Sequence, residues 1–303
     1  MTKPIASIKV LTYNHEKFIG RCLDSLLKQK TEYPYEIVVG DDGSADGTRD
    51  ILLEYQSRYP HKVVPVISET NKGSLHNSFK VTWATKGKYQ LVCDGDDYWI
   101  DPLKLQKQVA FMEDHPDYSM IHADMIFVDE KGREQEPSPY FIDRKSLYRT
   151  GDVFWSLWDR NFINTNTVCL RNDFYKALTP NTEKEMEKMW FIHDYWYWLL
   201  LAKMAKVGFI NEKMAAYRTH AENITVKGNF LQKRLPMVFI DVARSLSKQE
   251  ADTREKREEI AKKMIWILMR KDLPVNMKMK AFSVLLKYFP AYQFIIKNLK
   301  RRV

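Results

Sequence analysis

The sequence predicts an α/β protein, a mainly parallel β-sheet flanked by helices and continued by a C-terminal helical extension. Three observations carry this. From Ile5 to Cys93, short apolar runs alternate with segments of helical spacing, giving β-α-β-α-β-α-β with short connections. Three of the runs end in polar loops, Thr12-Tyr13-Asn14, Asp41-Asp42-Gly43-Ser44 and Asp94-Gly95-Asp96-Asp97. From about Val226 the pattern is wholly helical.

Ile5 to Leu11 is β-rich, and His15 to Lys28 then places Phe18, Ile19, Cys22, Leu23, Leu26 and Leu27 on one helical stripe. Tyr35 to Val39 reads as the second strand. Ile51, Leu52 and Tyr55 mark a second helix, with Asp46 as a candidate cap. Lys62 to Ile67 is the third strand, and the helix after Ser74 ends near Gly87. Tyr89 to Cys93 is the fourth strand. Asp101-Pro102 suggests a capped helix running to about Asp114, followed by a strand from Tyr118 to Val128. The region 137–160 is irregular and aromatic. Asn164 to Leu170 fits a strand, Tyr195 to Leu201 a buried helix, and Val207 to Ile210 and Met214 to Arg218 two short closing strands. The boundaries expected from this are one domain over 1–225 and a basic amphipathic extension over 226–303.

With 303 residues, 45% of them hydrophobic and 29% charged, the chain has the composition of a soluble globular protein. Its net charge of +9 is unevenly spread. Residues 227–303 hold 19 Lys and Arg against 7 Asp and Glu, whereas the rest holds 29 against 32. A near-neutral body with a basic tail points the tail at an anionic partner, a membrane surface or nucleic acid. Cys22, Cys93 and Cys169 are far apart and lack CxxC spacing, which argues against a disulfide framework or zinc knuckle and fits a reducing compartment. No signal peptide pattern is visible at the N-terminus, and no apolar run approaches the ~18–20 residues a membrane span needs.

The segment Asp94-Gly95-Asp96-Asp97 puts three carboxylates within four residues at the end of an apolar strand. Such a cluster is tolerated when a cation lies between its members, and oxygen-rich sites suit Mg²⁺ or Mn²⁺ with phosphates as further ligands. The competing reading is a solvated acidic turn ahead of the next helix. Ligands of parallel sheets bind beyond the carboxyl ends of strands, so the three polar loops are expected to converge on one rim.

Taken in order, these motifs resemble the family 2 glycosyltransferases over roughly residues 5–225. Ile8 to Glu16 is similar to the family's first strand and Tyr-Asn loop, with Leu11 where proline is usual. Glu36 to Asp46 resembles the strand and Asp-Asp-Gly-Ser loop that holds the nucleotide base. Asn71-Lys72-Gly73 with Asn77 resembles the stretch ahead of the next helix, and Asp94 to Trp99 the Asp-x-Asp metal motif. The resemblance implies a GT-A fold, a Rossmann-like sheet, and an inverting transfer of sugar from a nucleoside-diphosphate sugar, with a UDP-sugar the foremost donor. It places the donor nucleotide at Thr12, Tyr13, Asn14, Glu16, Asp41, Asp42 and Asp94, and a Mn²⁺ or Mg²⁺ ion on Asp96, Asp94 and His220. Asp97 is expected to support the ligands. Tyr217-Arg218-Thr219-His220 looks like the segment that closes such sites, with Arg218 toward the diphosphate.

Asp194 matches the family's base, which takes the proton from the acceptor hydroxyl, although His193 stands where glutamate is common. Trp190 and Trp198 could desolvate it, and helix capping is a compatible second role. His193 is read as a local hydrogen-bonding residue. Trp155, Trp158, Trp196 and Trp198 could stack on sugars, core packing being the main alternative. Asn164 to Thr167 would lie near the acceptor.

In the tail, Met264 to Met269, then Phe282, Leu285, Leu286, Tyr288, Phe289 and Phe294 to Ile296, alternate with Lys and Arg. That pattern suits an interfacial helix on anionic lipid, placed at 275–303, and a lipid-linked or glycan acceptor in bacterial surface polysaccharide synthesis. The expected location is cytoplasmic, peripheral on the inner face of the cell membrane. A helical cap on the catalytic domain is the alternative. A sugar nucleotidyltransferase would carry a Gly-rich basic loop after the first strand, and Leu11 to Glu16 has no glycine. A basic nucleic-acid-binding protein finds support only in the tail, and no nucleic-acid partner is expected.

Overall fold

Residues 3–137, 142, 144–189, 194–221 and 230–289 are described by the computed structural model, the side chains of 230–233 excepted. The expectations for Trp190, His193 and 290–303 lie outside the described residues. Two compact units result, Met1–Asn223 and Ile224–Val303.

In the first unit β1 (Ala6–Thr12), α1 (Ile19–Leu27), β2 (Tyr35–Asp41), α2 (Thr48–Arg58), β3 (Val63–Ile67), α3 (Ser74–Ala84) and β4 (Tyr89–Asp94) follow the expected alternation. Strand β1 runs parallel between β2 and β4, and β3 parallel to β2. Ala6, Ile8 and Val10 are buried in one core cluster with Ile19, Cys22, Leu23 and Leu26 of α1. The alternate positions of β1 are polar: the Ser7 hydroxyl donates to Glu36 Oε1 at 2.6 Å, and Lys9 Nζ donates to two hydroxyls of α3. The sheet therefore faces two environments, as alternation along a strand requires.

Beyond β4 come β5 (Tyr98–Trp99), α4 (Lys104–Asp114), β6 (Tyr118–Val128), β7 (Glu134–Gln135), α5 (Phe154–Asp159), β8 (Cys169–Arg171), α6 (Asn172–Leu178), α7 (Glu183–Lys188), α8 (Asp194–Met204) and β9 (Lys206–Arg218). Among the described residues the sheet order is β3-β2-β1-β4-β8-β6-β9-β5, with β7 on β6. Strand β8 is antiparallel to both neighbours, so the sheet is mixed past β4.

Within 137–160, expected to be irregular, Phe154–Asp159 is a helix that buries Phe154, Leu157 and Trp158, and three further boundaries differ from the sequence reading. Helix α4 begins at Lys104, because the Asp101 carboxylate is spent on the turn before it: Oδ1 accepts from Leu103 N at 2.8 Å and Oδ2 pairs with Lys107 Nζ at 2.9 Å. The polar stretch after Asn164 is a 3-10 turn, Thr165–Thr167, and only Cys169–Arg171 is strand. The two closing strands are one, β9, in which the polar residues between them are absorbed by register shifts against Ala123, Asp124 and Met125.

In the second unit α9 (Phe230–Ser245), α10 (Arg254–Met269) and α11 (Val275–Tyr288) pack together. Thr253 caps α10 by accepting from Lys256 N at 3.2 Å. Helix α11 buries Met277, Ala281, Val284 and Leu285, and its Tyr288 hydroxyl reaches Ala243 O at 2.8 Å and Leu246 O at 2.9 Å.

Candidate active site

The parallel pairing brings three strand ends together. Thr12 lies opposite Asp41, and Leu11 opposite both Gly40 and Asp94. The three loops that the sequence singles out thus leave one rim, side by side.

The first two loops are knitted to each other. Asn14 has φ 54°, a turn conformation that asparagine tolerates; its N–H donates to Ser44 Oγ at 2.9 Å and its Oδ1 accepts from Ala45 N at 2.9 Å. Glu16 Oε2 accepts from Gly47 N at 3.1 Å. Tyr13 is exposed, and the Thr12 hydroxyl is buried without a partner. Gly43, at φ 71°, passes so close to Thr70 that an added Cβ would lie 2.6 Å from its backbone carbon. Asp42 Oδ1 and Oδ2 accept from Lys72 N at 3.0 Å and Gly73 N at 2.8 Å. Each carboxylate oxygen keeps a second lone pair, so this tether is compatible with a ligand role. Asp41 is fully buried, accepts from Ser44, and lies 3.7 Å from Arg49 Nε. Those bonds make Asp41 a brace of its own loop.

The acidic loop divides its labour. Asp97 is buried, accepting from Arg218 N at 2.8 Å and Asn166 Nδ2 at 2.9 Å, and burial with the charges of Asp96 and Asp94 pushes its carboxyl well above the usual range. It is a tie, and it supports the loop as expected. Arg218 donates from Nε to Asp96 O at 2.7 Å and from Nη1 to Glu130 O at 2.8 Å, over the rings of Phe18 and Tyr98. These bonds brace the acidic loop from behind. Gly95 packs so tightly that a Cβ would come within 2.9 Å of Thr12 Cβ and of His15 Nδ1.

Asp96 and His220 do meet, with His220 Nε2 3.0 Å from Asp96 Oδ2. His15 Nε2 is 4.0 Å from the same oxygen. Burial pushes the Asp96 carboxyl up, but the bond from His220 and the two imidazole charges outweigh it and hold the group below its usual range. The Asp94 carboxylate has no hydrogen-bond partner among the described residues. Burial, then Asp96 and Asp194, raise its pKa to about 8, against the opposing pull of Lys9.

Among the described residues no group of three or more His, Cys, Asp or Glu stands ready-formed around an ion. The donor chemistry nevertheless fits a hard divalent cation. Two carboxylates crowded enough to raise one proton affinity, beside an imidazole, are what such an ion would relieve.

Asp194 opens α8, and its Oδ2 accepts from the Thr165 hydroxyl. It lines a cavity of about 60 Å³ together with Lys9, Ser78, Asp94, Tyr175 and Trp198. Asp94 and Asp194, which are 100 residues apart in sequence, therefore share one pocket. Helix α8 is anchored behind them by Tyr195, whose hydroxyl donates to Leu157 O, and by Tyr197, 3.0 Å from Thr179 Oγ1. Trp158, Trp196 and Trp198 are buried core residues, Trp198 at the cavity wall, and Trp155 is half-buried.

Lys9 escaped the sequence reading. It is 2% exposed, and burial lowers its pKa to about 7 against the charges of Asp194 and Asp94. The signal was present: in a strand whose alternate residues are apolar, lysine at a polar-face position has to find partners.

Comparisons with known proteins bear on the family and the fold. The glycosyl transferase family 2 profile matches residues 7–178. An uncharacterized protein of Mycobacterium tuberculosis is 36% identical over 220 residues, which cover 72% of this chain and 60% of that protein. The chain thus spans about three-fifths of the length of that relative. Among solved structures, Staphylococcus aureus TarS residues 1–349 with UDP superposes with a TM-score of 0.61 at 20% identity, covering 94% of this chain and 81% of that one. The Pyrobaculum calidifontis mannosyltransferase PcManGT with GDP-Man and Mn²⁺ gives 0.58 at 14% identity, covering 96% and 82%. The mixed sheet has the GT-A form of these neighbours, and with the family profile spanning the three loops, the chain belongs to glycosyl transferase family 2.

Proposed function

We propose that this chain is an inverting, metal-dependent glycosyltransferase that moves a sugar from a nucleoside-diphosphate sugar, foremost a UDP-sugar, to a hydroxyl of a glycan or lipid-linked acceptor in bacterial surface polysaccharide synthesis. The observation that carries the reading is the shared rim: Asp96 with His220 on one side, Asp94 in the middle and Asp194 across the cavity. The UDP bound by TarS and the GDP-Man and Mn²⁺ bound by PcManGT support a nucleotide-sugar donor.

The base lies by Thr12, Tyr13, Asn14, Glu16 and Asp42, where a carboxylate accepts an imide or amino hydrogen, and Asp94 meets the ribose. Asp96, Asp94 and His220 would hold Mn²⁺ or Mg²⁺. When bound, that ion neutralises charge on the departing nucleoside diphosphate. Asp194 takes the proton of the acceptor hydroxyl as that oxygen bonds to the anomeric carbon and the bond to the diphosphate breaks on the opposite face. Thr165 donates to Asp194 Oδ2 and so fixes the carboxylate in place. Arg218 and Asp97 hold the acidic loop rigid while this happens.

The second unit, beginning near residue 224, is proposed to dock on anionic membrane and present a lipid-linked acceptor. Trp266, Met269, Val275 and Met279 are exposed on α10 and α11 among lysines and arginines, while no described helix is long and apolar enough to cross a bilayer. A screen of UDP- and GDP-sugars for binding and hydrolysis, with and without Mn²⁺, tests the enzyme reading. Metal-dependent binding of at least one donor is the expected result, and none with any donor would contradict it.

A further inference from the structure

In its protonated form Lys9 carries three hydrogens on Nζ, and two of them go to hydroxyls. Nζ donates to Ser78 Oγ at 2.7 Å and to Thr82 Oγ1 at 2.8 Å. Both partners are neutral hydroxyls on α3, so neither compensates the charge. Lys9 lines the cavity that holds Asp94 and Asp194, its Nζ lies 5.3 Å from the centroid of the Tyr175 ring, and among the described residues no oxygen beyond those two hydroxyls accepts from it. Trp198, which also lines the cavity, has its indole N–H buried without a hydrogen-bond partner among the described residues. A buried donor left open is costly unless a ligand or water completes it. The cavity thus places the Lys9 amine in one pocket with two carboxylates. A group that both accepts and donates fits that pairing, and an alcohol does so.

We propose that Lys9 is a specificity-determining residue that reads one hydroxyl group of the donor sugar, the sugar oxygen accepting from Nζ while its hydrogen goes to Asp94 or Asp194. This rests on the donor reading above and deepens it, since it names neutral, hydroxyl-bearing sugars as the substrate class. With one lysine against two aspartates the pocket is also unfavourable to a uronic acid at that position. The cavity, at about 60 Å³, has room for a hydroxyl or hydroxymethyl group without rearrangement.

The test uses the full chain with UDP-glucose, UDP-N-acetylglucosamine and GDP-mannose and the 3-, 4- and 6-deoxy analogues of each. Rates of donor hydrolysis or transfer are compared for the wild type, Lys9→Met and Lys9→Gln, alongside UDP and GDP affinity and thermal melting. For the wild type, one deoxy position should lower kcat/KM by about 10–10²-fold, the worth of a hydrogen bond to a charged group. Lys9→Met should lose a similar factor on the parent sugar and nothing further on that analogue, with nucleoside-diphosphate affinity unchanged. Lys9→Gln, which keeps an N–H donor, should restore part of the discrimination. If folded Lys9→Met loses the same factor on the parent and on every analogue, or loses none, Lys9 does not read a hydroxyl and the donor reading still stands. If the wild type binds no UDP- or GDP-sugar, these three included, both readings fall.

Discussion

One oxygen of Asp96 faces two imidazoles, while the carboxylate of Asp94, two residues away, has no hydrogen-bond partner among the described residues and is pushed toward its neutral form. That asymmetry is a residue-scale property, because it depends on which atoms burial and charge reach. Asp194 differs again, held by one hydroxyl at the mouth of α8. Asp194→Asn should leave donor binding intact and lower transfer by about 10²–10⁴-fold, the usual worth of a general base; full turnover in that variant would remove the role. Lys104 offers a stability test away from the rim. It is fully buried over Trp99 with Gln108 Oε1 at 2.6 Å, and burial lowers its pKa from 10.5 to about 7. Between pH 7 and 10.5 the unfolded chain then binds the proton that the folded chain has released, so stability rises with pH across that window, by about 1.4 kcal/mol per unit at most from this group. Lys104→Met should raise stability near pH 7 by about 1–4 kcal/mol and flatten the slope, both read by urea unfolding from pH 7 to 10. At this scale the sequence announced the aspartates and His220 by motif, but gave no sign of where the Arg218 fork points. Five donors on one planar group fit a diphosphate or a set of carbonyls equally well, and only β9 packed behind the acidic loop decides between them.

At the scale of elements, the site exists because three parallel strands end in step and β9 returns to brace the third. Arg218 joins Asp96 O and Glu130 O in one fork, and Asp97 takes the Arg218 N–H in return. Arg218→Lys keeps the charge but cannot make the fork, so it should cost about 1.5–3 kcal/mol of stability by denaturant unfolding and weaken Mn²⁺-dependent donor binding. An unchanged midpoint would show the brace to be dispensable. The first four strands were legible because each is a local apolar run between turn residues, and parallel order follows from the helices between them. The second half was less so. Strand β8 is three residues long and exists only through its pairing with β4 and β6, a non-local fact. The sequence divides β9 into two strands at Asn211 to Lys213, since a polar stretch in a register shift has the same composition as a loop.

Over the whole chain, charge is unevenly divided, with 19 Lys and Arg against 7 Asp and Glu in residues 227–303. The second unit carries the basic excess and an exposed set of Trp266, Met269, Val275 and Met279. Full-length protein should co-sediment with vesicles containing anionic lipid far more than with neutral ones, and binding should weaken as salt screens the lysines. Equal, low binding to both would leave the helices a purely structural role. The charge split could be read from composition, but which apolar side chains of the tail face outward could not, since a core helix and an interfacial one share the same periodicity. One divalent cation and one diphosphate are proposed to meet at a single acidic rim. Titration of UDP-sugar and GDP-sugar donors into wild type and Asp96→Asn, with Mn²⁺ and with chelator, tests it most directly. Binding that needs Mn²⁺ in the wild type and vanishes in Asp96→Asn is the predicted result; donor binding that survives both the chelator and the substitution would contradict it.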